Sequence, residues 1–143
     1  EDITQRRMEA ERNWKQARYD YLSNIPNRHY MVELVKEAVD NLGPDRLIAF
    51  CQFDVDGFKT INDTMGHEAG DEVIRKIAAT MVELQRNDDR IILARLGGDE
   101  FVLAYKNLLP HENVTALFDH VFQSICKTYE INGRSLTLRC SGV

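Results

Sequence analysis

The sequence predicts an α+β domain built around a central antiparallel sheet. An apolar, strand-like run at residues 47–53 lies between two segments that have the apolar spacing of amphipathic helices. Two more apolar runs, 90–96 and 101–105, are joined through Gly97-Gly98, which is typical of a β-hairpin because tight turns need the positive φ that glycine adopts cheaply. A third helical segment and a last strand follow. Removing the leading helices leaves βαββαβ, the split βαβ order of ferredoxin-like folds.

The composition is that of a single globular domain. The chain has 143 residues, 43% hydrophobic and 29% charged, values typical of a soluble protein. No apolar stretch approaches the roughly 20 residues that span a membrane. The net charge of −5 argues against a protein that holds nucleic acid by its phosphates. The three cysteines show no CxxC spacing and the N-terminus is unlike a signal peptide. We therefore expect reduced, buried thiols in a cytoplasmic protein with no membrane contact through this segment.

Residues 1–23 form a polar segment with a narrow apolar stripe. Its apolar residues are spaced by seven, four, three and four positions, which fits a heptad seam: Ile3, Ala10, Trp14, Ala17 and Tyr21, with Arg7 as the polar member. Such a stripe cannot build a core alone, so it favours a helix that pairs with a copy of itself and joins another domain. A solvated helix packed loosely on its own domain is the alternative.

The next helix and the first strand have clear boundaries. Pro26 ends the leading segment, and Asn27 can cap the following helix. Apolar residues then recur at the spacing of one helix face: Met31, Leu34, Val35, Ala38, Val39 and Leu42. Gly43-Pro44 ends this helix. The strand at 47–53 then runs directly into Asp54-Val55-Asp56.

The second half of the chain alternates helices with strands. The connection from Gly57 to Gly66 is polar and rich in turn residues, with Phe58 and Ile61 as apolar anchors. A second amphipathic helix covers residues 68–86 and precedes the hairpin. A third helix follows Pro110, with its apolar stripe at 114–125. Residues 131–134 predict a turn between short strands, and residues 135–143 predict the last strand.

Four carboxylates converge at one edge of the predicted sheet. The first strand and the hairpin are neighbours in this topology, so Asp54 and Asp56 are expected close to Asp99 and Glu100. Asp is depleted in strands, which makes carboxylates beside a hairpin turn a functional signal. Clustered carboxylates repel one another unless a cation lies between them. Mg²⁺ prefers oxygen ligands and shares them with substrate phosphates, and two such ions support phosphoryl or nucleotidyl transfer.

The residues after the first strand are suited to a nucleotide. Gly57-Phe58-Lys59 combines a glycine that allows close backbone approach with a lysine that can bind phosphate. Asn62 and Asp71 offer an amide and a carboxylate that can read a purine edge. Each feature has a simpler interpretation: Asp-x-Asp also occurs in sugar-nucleotide transferases, Asn62 can be a turn or cap residue, and Lys59 can be a solvated lysine.

Two long motifs resemble the GGDEF family of diguanylate cyclases. They are residues 53–71, FDVDGFKTINDTMGHEAGD, and residues 94–101, ARLGGDEF. Residues 20–28, DYLSNIPNR, resemble the family's N-terminal motif D-x-L-T-x-L-P-N-R with Ser23 in place of threonine. The likeness covers roughly residues 20–143. Residues 2–9 also resemble the tail of a PAS sensor that leads into a signalling helix.

The resemblance implies the condensation of two GTP molecules into cyclic di-GMP with release of pyrophosphate. It implies four ligands for Mg²⁺ (or Mn²⁺): Asp54, the backbone carbonyl of Val55, Asp99 and Glu100. It also implies that Asp99 helps to deprotonate the attacking 3′-hydroxyl. The remaining implied roles concern GTP itself, with guanine read by Asn62 and Asp71 and phosphates held by Lys59 and the amides around Gly57 and Phe58.

The resemblance further implies an arrangement of domains. Each catalytic domain binds one GTP, so catalysis requires a homodimer. We expect a signalling or linker helix at 1–22, joined to an upstream sensor domain, and a catalytic domain at 23–143 whose C-terminal part is missing. The absent part normally includes a helix that brings a Lys and an Arg to the triphosphate, so the activity of this segment alone is left open. The full-length protein is expected to be cytoplasmic or attached to a membrane.

One motif of the family is not at its usual position. The inhibitory product site is an Arg-x-x-Asp that would fall on Asp88 and Ile91, so the expected pair is missing. Arg86 and Asp89 have the right spacing but lie two residues upstream. They form either a displaced product site or a loop at the helix end.

Two other functions compete with the cyclase. One is a catalytically silent, GTP-binding regulatory GGDEF module that controls an attached phosphodiesterase domain. The other is a different nucleotide cyclase or a polymerase-palm-like domain, which would share the metal carboxylates but would not use Asn62 and Asp71 as a guanine pair. Nucleotide preference separates this last function from the first two.

Overall fold

The computed structural model describes residues 3–142. It contains five helices and six strands in that range: α1 (Ile3–Arg18), α2 (Arg28–Asp40), β1 (Leu47–Val55), α3 (Phe58–Met65), α4 (His67–Asn87), β2 (Ile91–Gly97), β3 (Glu100–Leu108), α5 (Val114–Ile125), β4 (Thr128–Ile131), β5 (Arg134–Thr137) and β6 (Cys140–Gly142). Glu1, Asp2 and Val143 lie outside the described residues, and so do the outer ends of the predicted segments 1–22, 2–9 and 135–143.

The main sheet has four strands in the order β2-β3-β1-β6, and every neighbouring pair is antiparallel. This is the strand order of the split βαβ topology, so the predicted ferredoxin-like fold is confirmed. β4 and β5 form a separate hairpin around Asn132-Gly133, as the turn prediction indicated. No helix within residues 3–142 is long and apolar enough to cross a membrane.

The prediction of one continuous last strand was wrong. The chain forms β5 in the small hairpin, leaves it through Leu138 and Arg139, and then joins the main sheet as β6 beside β1. Leu138 is buried, and its N–H donates to the carbonyl of Lys127, which extends the small hairpin before the chain crosses to the main sheet. Alternating apolar residues fit both strands equally well, so the sequence pattern does not reveal the break.

The segment predicted as a turn-rich connection contains the helix α3. Gly57, with φ of 72°, lets the chain turn sharply out of β1 into the helix, and Gly66, with φ of 94°, separates α3 from α4. Phe58, Ile61 and Met65 lie on the face that packs against the main core. The helical spacing was present in the sequence but spans only two turns between two glycines, which favoured the prediction of turns.

The leading helix is shorter than the predicted seam requires. α1 ends at Arg18, and Tyr21 lies beyond it with its side chain 94% exposed, so Tyr21 cannot continue a helical stripe. No residue of α1 is buried. At the end of α1 the rings of Trp14, Tyr19 and Tyr30 contact one another, and Arg18 pairs with Glu33 of α2 at 3.0 Å. The side chain of Asn27 caps α2, as predicted.

The sheet has apolar contacts on both faces. The main core fills the face covered by α4 and α5 and includes Phe53 and Phe101, whose rings stack at 5.5 Å. A smaller cluster lies on the other face, where α2 packs on β2. All three thiols are free, as expected for reduced cysteines. Cys51 is buried, whereas Cys126 and Cys140 are half-buried, so the expectation of burial holds fully for Cys51 alone.

An ion pair joins the segment before α2 to the hairpin. Arg95 of β2 contacts both carboxylate oxygens of Asp20 at 3.0 Å, and the two side chains are only 11% and 14% exposed. The backbone N–H of Arg95 also donates to the carbonyl of Pro26. Burial raises the pKa of Asp20, but hydrogen bonds from Ser23 and Arg95 outweigh it and hold the pKa below its usual value.

We expect this ion pair to contribute to stability in a pH-dependent way. Asp20→Asn should lower the free energy of unfolding at pH 7 by about 1.5–3 kcal/mol, because a charge-assisted hydrogen bond is lost in a poorly solvated place. The folded-state pKa of Asp20 is lowered, so its contribution is complete above the unfolded value of about 4 and is lost as the pH falls below it. Urea unfolding of both proteins at several pH values measures this.

The matched control is Glu83→Gln, which removes the ion pair with Arg86 at 3.3 Å. Both of its side chains are more than half exposed, so the change in unfolding free energy should be less than about 1 kcal/mol. Equal losses in the two variants, or a difference between wild type and Asp20→Asn that persists undiminished at pH 3, would contradict the role given to Asp20.

Candidate functional site

The ends of β1 and β3 bring together the predicted metal ligands. Asp54 and Glu100 are direct partners in the antiparallel ladder, so their side chains leave the same face of the sheet. The Oδ2 atom of Asp99 accepts a hydrogen bond of 3.2 Å from the backbone N–H of Val55. The strand pairing thus brings Asp54 beside Glu100 and Asp99 beside the backbone of Val55, as expected for this sheet edge, while their role as metal ligands stays a prediction. Asp56 differs, because its Oδ1 accepts a hydrogen bond of 2.5 Å from the Ser141 hydroxyl on the β6 side.

The hairpin turn lies one residue later than predicted. Gly97 is the last residue of β2 and pairs with Glu100, so the turn consists of Gly98 and Asp99 rather than Gly97-Gly98. An irregularity between Arg95 and Gly97 shifts the register and accounts for the difference. Both glycines have positive φ, 146° and 52°. Asp99 is thus a turn residue and not a strand residue, which removes the conflict between its type and its position.

Arg95 fixes the shape of this turn. Its Nε and Nη2 atoms donate to the carbonyl of Gly98 at 3.0 and 2.8 Å, while Nη1 contacts Asp20. The guanidinium group therefore holds the residue before Asp99 against the segment that precedes α2. Sequence analysis did not assign a role to Arg95. The available signal was an arginine two residues before the Gly-Gly pair together with the acidic residue Asp20 in the 20–28 motif.

A cavity of about 350 Å³ adjoins the carboxylates. It is lined by residues of three strands: Gln52, Phe53, Asp54, Glu100, Ser141 and Gly142. Asp54 and Glu100 are both exposed, and no side chain within residues 3–142 forms an ion pair with either of them. The cavity thus places two unneutralised carboxylates next to a space that can admit a charged group of opposite sign.

The donor set fits a hard divalent cation. Asp54, Asp99, Glu100 and the Val55 carbonyl offer only oxygen atoms, and Asp99 keeps its Oδ1 atom outside the hydrogen bond to Val55. Among residues 3–142, no three Asp, Glu, His or Cys side chains are grouped closely enough to hold a metal alone. Mg²⁺ or Mn²⁺ would accordingly complete its coordination with backbone oxygen, water or a substrate phosphate, as Mg²⁺ commonly does.

Asn62 and Asp71 come together where α3 packs on α4. The amide of Asn62 lies against Gly70, the residue before Asp71. Both side chains are half-buried, and within residues 3–142 neither forms a side-chain hydrogen bond or an ion pair. Asn62 lies inside α3, whose N-cap and C-cap positions are Gly57 and Gly66, so the interpretation of Asn62 as a cap residue is wrong. The two polar groups are available to a ligand.

The start of α3 leaves backbone donors available. Gly57 precedes the helix without any side-chain cap, so its first N–H groups are not satisfied by a side chain. Phe58 is half-buried against the main core, which anchors the turn. Lys59 is exposed and has no ion-pair partner among the described residues. An uncapped helix start beside a lysine can attract an anion.

Arg86 of the displaced Arg-x-x-Asp pair forms an ion pair within its own helix, and the assignment of Arg86 and Asp89 as a product site stays a prediction. Arg86 lies in the last turn of α4 and points back along its own helix to Glu83. Asp88, at the position expected for the family's arginine, instead binds Arg90 at 3.0 Å, and Arg90 also binds Glu112 at 2.7 Å. Hydrogen bonds from Arg90 lower the pKa of Asp88, and those carboxylates raise the pKa of Arg90. This network was not visible from local sequence because Glu112 is remote along the chain.

Comparisons with known proteins agree with this geometry. The family model described as diguanylate cyclase, GGDEF domain, matches residues 17–142. The bifunctional diguanylate cyclase/cyclic di-GMP phosphodiesterase MucR of Pseudomonas aeruginosa is 33% identical over 126 residues, which cover 87% of this chain and 18% of that protein. The cyclic di-GMP phosphodiesterase PdeR of Escherichia coli is 33% identical over 106 residues, 74% of this chain and 16% of that protein. The chain thus spans less than a fifth of the length of these relatives.

A solved structure supports the fold independently. The coiled coil and GGDEF domain of DgcB from Caulobacter crescentus, in complex with c-di-GMP, matches with a TM-score of 0.80 and 22% sequence identity, over 98% of this chain and 74% of that chain. At that identity the match concerns the fold. Together with the family model, which covers most of the chain, these findings establish that the chain belongs to the GGDEF family of diguanylate cyclase domains.

Proposed function

We propose that this chain is the GTP-binding catalytic domain of a diguanylate cyclase in bacterial cyclic di-GMP signalling. The observation that carries the proposal is the position of Asp99, a turn residue held by the N–H of Val55 beside the opposed carboxylates of Asp54 and Glu100. The chain shares the GGDEF family with MucR, whose name includes the cyclase activity, and this similarity supports a role in cyclic di-GMP signalling. The catalytic activity of this domain is the proposed step.

Four oxygen donors would hold Mg²⁺ or Mn²⁺: Asp54, the Val55 carbonyl, Asp99 and Glu100. When bound, the ion would supply positive charge that stabilises the attacking and leaving oxygens of nucleotidyl transfer. The protein supplies the proton acceptor. Oδ1 of Asp99 accepts the proton of the 3′-hydroxyl, while Oδ2 stays on the Val55 N–H and fixes the carboxylate. The 3′-oxygen attacks the α-phosphorus of the opposite GTP, and pyrophosphate leaves.

GTP is recognised at both of its ends. Asn62 and Asp71 carry unpaired, half-buried polar groups that suit the guanine edge. The uncapped start of α3 at Gly57 and Phe58, with the exposed ammonium group of Lys59, suits the phosphates. The chain from β1 through α3 to α4 therefore connects the metal carboxylates to the base-binding residues without an intervening long loop.

Catalysis requires two copies of the domain, because each holds one of the two GTP molecules that condense. We infer that the leading segment, 1–22, is a signalling helix that joins the catalytic domain, 23–143, to an upstream sensor and controls how two copies meet. The Arg18–Glu33 and Asp20–Arg95 ion pairs support this role, since they connect the end of α1 and the following segment to α2 and to the hairpin. A cytoplasmic location is part of this proposal.

A silent regulatory module is the second candidate. The similarity to PdeR, which is named as a phosphodiesterase, favours it, because a GGDEF domain can accompany a different activity in one protein. Such a module would bind GTP through the same Asn62 and Asp71 but would not form cyclic di-GMP. The metal carboxylates at Asp54, Asp99 and Glu100 favour the cyclase, since GTP binding alone does not require a proton acceptor.

Replacement of Asp99 should abolish synthesis. Asp99→Asn keeps the size of the side chain but removes the proton acceptor and one metal ligand, so the rate of cyclic di-GMP formation should fall at least about 100-fold. The assay is chromatographic detection of product formed from GTP and Mg²⁺ by the full-length protein. Asp63→Asn, at an exposed position of α3, is the matched control and should keep wild-type activity. Near-normal synthesis by Asp99→Asn would rule out its assigned role.

Nucleotide preference tests the base-binding residues. Calorimetric titration with nonhydrolysable analogues should show that the wild-type protein binds GTP at least about tenfold more tightly than ATP, because a hydrogen-bonding site discriminates sharply. Asp71→Ala should remove most of that preference. Glu68→Ala, an exposed carboxylate of the same helix, should retain it. Equal affinity of the wild-type protein for the two nucleotides would refute the assignment of Asn62 and Asp71.

A further inference from the structure

The side chain of Asn62 packs against α4 at Gly70. Gly70 is buried in the first turn of that helix, between Ala69 and Asp71. A Cβ atom at this position would lie 1.8 Å from Oδ1 of Asn62, 2.8 Å from its Cγ and 3.4 Å from its Nδ2. The first two distances are shorter than any real contact. Asn62 can therefore have its present conformation only if residue 70 has no side chain.

The backbone does not explain this glycine. Five glycines, among them Gly57 and Gly66, have positive φ, which other residues adopt only with strain, whereas Gly70 is not one of them. A glycine within a helix is also less favourable than alanine, because it loses more conformational freedom on folding. Since neither the turn geometry nor the helix benefits from glycine at position 70, the contact with Asn62 is the remaining cause.

Packing is what holds the Asn62 amide in place. The backbone carbonyl of Asn62 accepts a hydrogen bond from the N–H of Gly66. Within residues 3–142 the side chain of Asn62 forms no hydrogen bond. An alanine at position 70 would be accommodated most easily by rotation of this short side chain, because the three heavy atoms nearest to the new Cβ all belong to it. The cost of the substitution would thus fall on the orientation of Asn62 rather than on the fold.

We propose that Gly70 is a positioning residue for base recognition. Its missing side chain lets the Asn62 amide lie flat on α4 next to Asp71, so that the two polar groups face one ligand edge together. This inference rests on the proposed function, in which Asn62 and Asp71 bind guanine. A hydrogen-bonding site discriminates sharply only while its polar groups keep their places, so loss of Gly70 should act almost like loss of Asn62.

The test compares the affinities of four forms of the full-length protein for nonhydrolysable GTP and ATP analogues: wild type, Gly70→Ala, Asn62→Ala and the double variant. Gly70→Ala and Asn62→Ala should each lower the ratio of GTP to ATP affinity by at least about tenfold. The double variant should match Asn62→Ala, because the clash has no further effect once the amide is gone. Gly43→Ala is the matched control, since its backbone is not left-handed and its new Cβ would lie 3.2 Å from Cγ of the flexible Arg46 side chain and at an ordinary contact distance of 3.6 Å from Oδ1 of Asn107.

Melting temperatures separate positioning from a simple folding defect. In the Asn62→Ala background, Gly70→Ala should raise the melting temperature, because alanine favours the helix and no clash remains. In the wild-type background that gain in melting temperature should be reduced or reversed.

The inference is overturned if Gly70→Ala keeps the wild-type preference for GTP, if the two substitutions act additively, or if the double variant fails to fold. A wild-type protein without preference for GTP would overturn the proposed function as well, whereas loss of preference in Asp71→Ala but not in Gly70→Ala would overturn this inference alone.

Discussion

The antiparallel pairing of β1 with β3 sets the position of every candidate catalytic group. The register runs from Leu47↔Leu108 to Asp54↔Glu100, with Phe53 and Phe101 facing each other in the main core. A slip of β1 by one residue would turn Phe53 out of the main core and point Asp54 into it, so burial of the core fixes the carboxylate at the same time. The site is a consequence of the hydrophobic pattern and not an addition to it.

The register shift between Arg95 and Gly97 determines where Asp99 lies relative to β1. It shifts the hairpin by one residue, places Asp99 at the tip and lets its carboxylate reach back to the N–H of Val55. Arg95 then connects the tip to Asp20, in the segment that follows α1. The same guanidinium group thus contacts both the hairpin turn that carries Asp99 and the segment that follows α1, which provides a physical link between the two.

Local patterns in the sequence predicted the elements whose spacing is long and regular, such as α4 and α5, and the hairpin itself. These local patterns did not predict elements that depend on flanking glycines or on pairing with a remote strand. The short helix α3 is hidden between Gly57 and Gly66, and the break before β6 depends on pairing with β1, which is remote in the chain. Residue chemistry predicted that Asn62 and Asp71 act as a pair, but only the packing of α3 on α4 shows that the Asn62 amide lies against Gly70.

The central claim is that the domain condenses GTP rather than only binding it. The most direct measurement is analysis of all products after the full-length protein is incubated with GTP and Mg²⁺. The arrangement of Asp54, Asp99 and Glu100 predicts cyclic di-GMP together with two pyrophosphates for each molecule formed. Recovery of bound but unchanged GTP, from protein that is folded and dimeric, would contradict the cyclase and identify a regulatory GGDEF module instead.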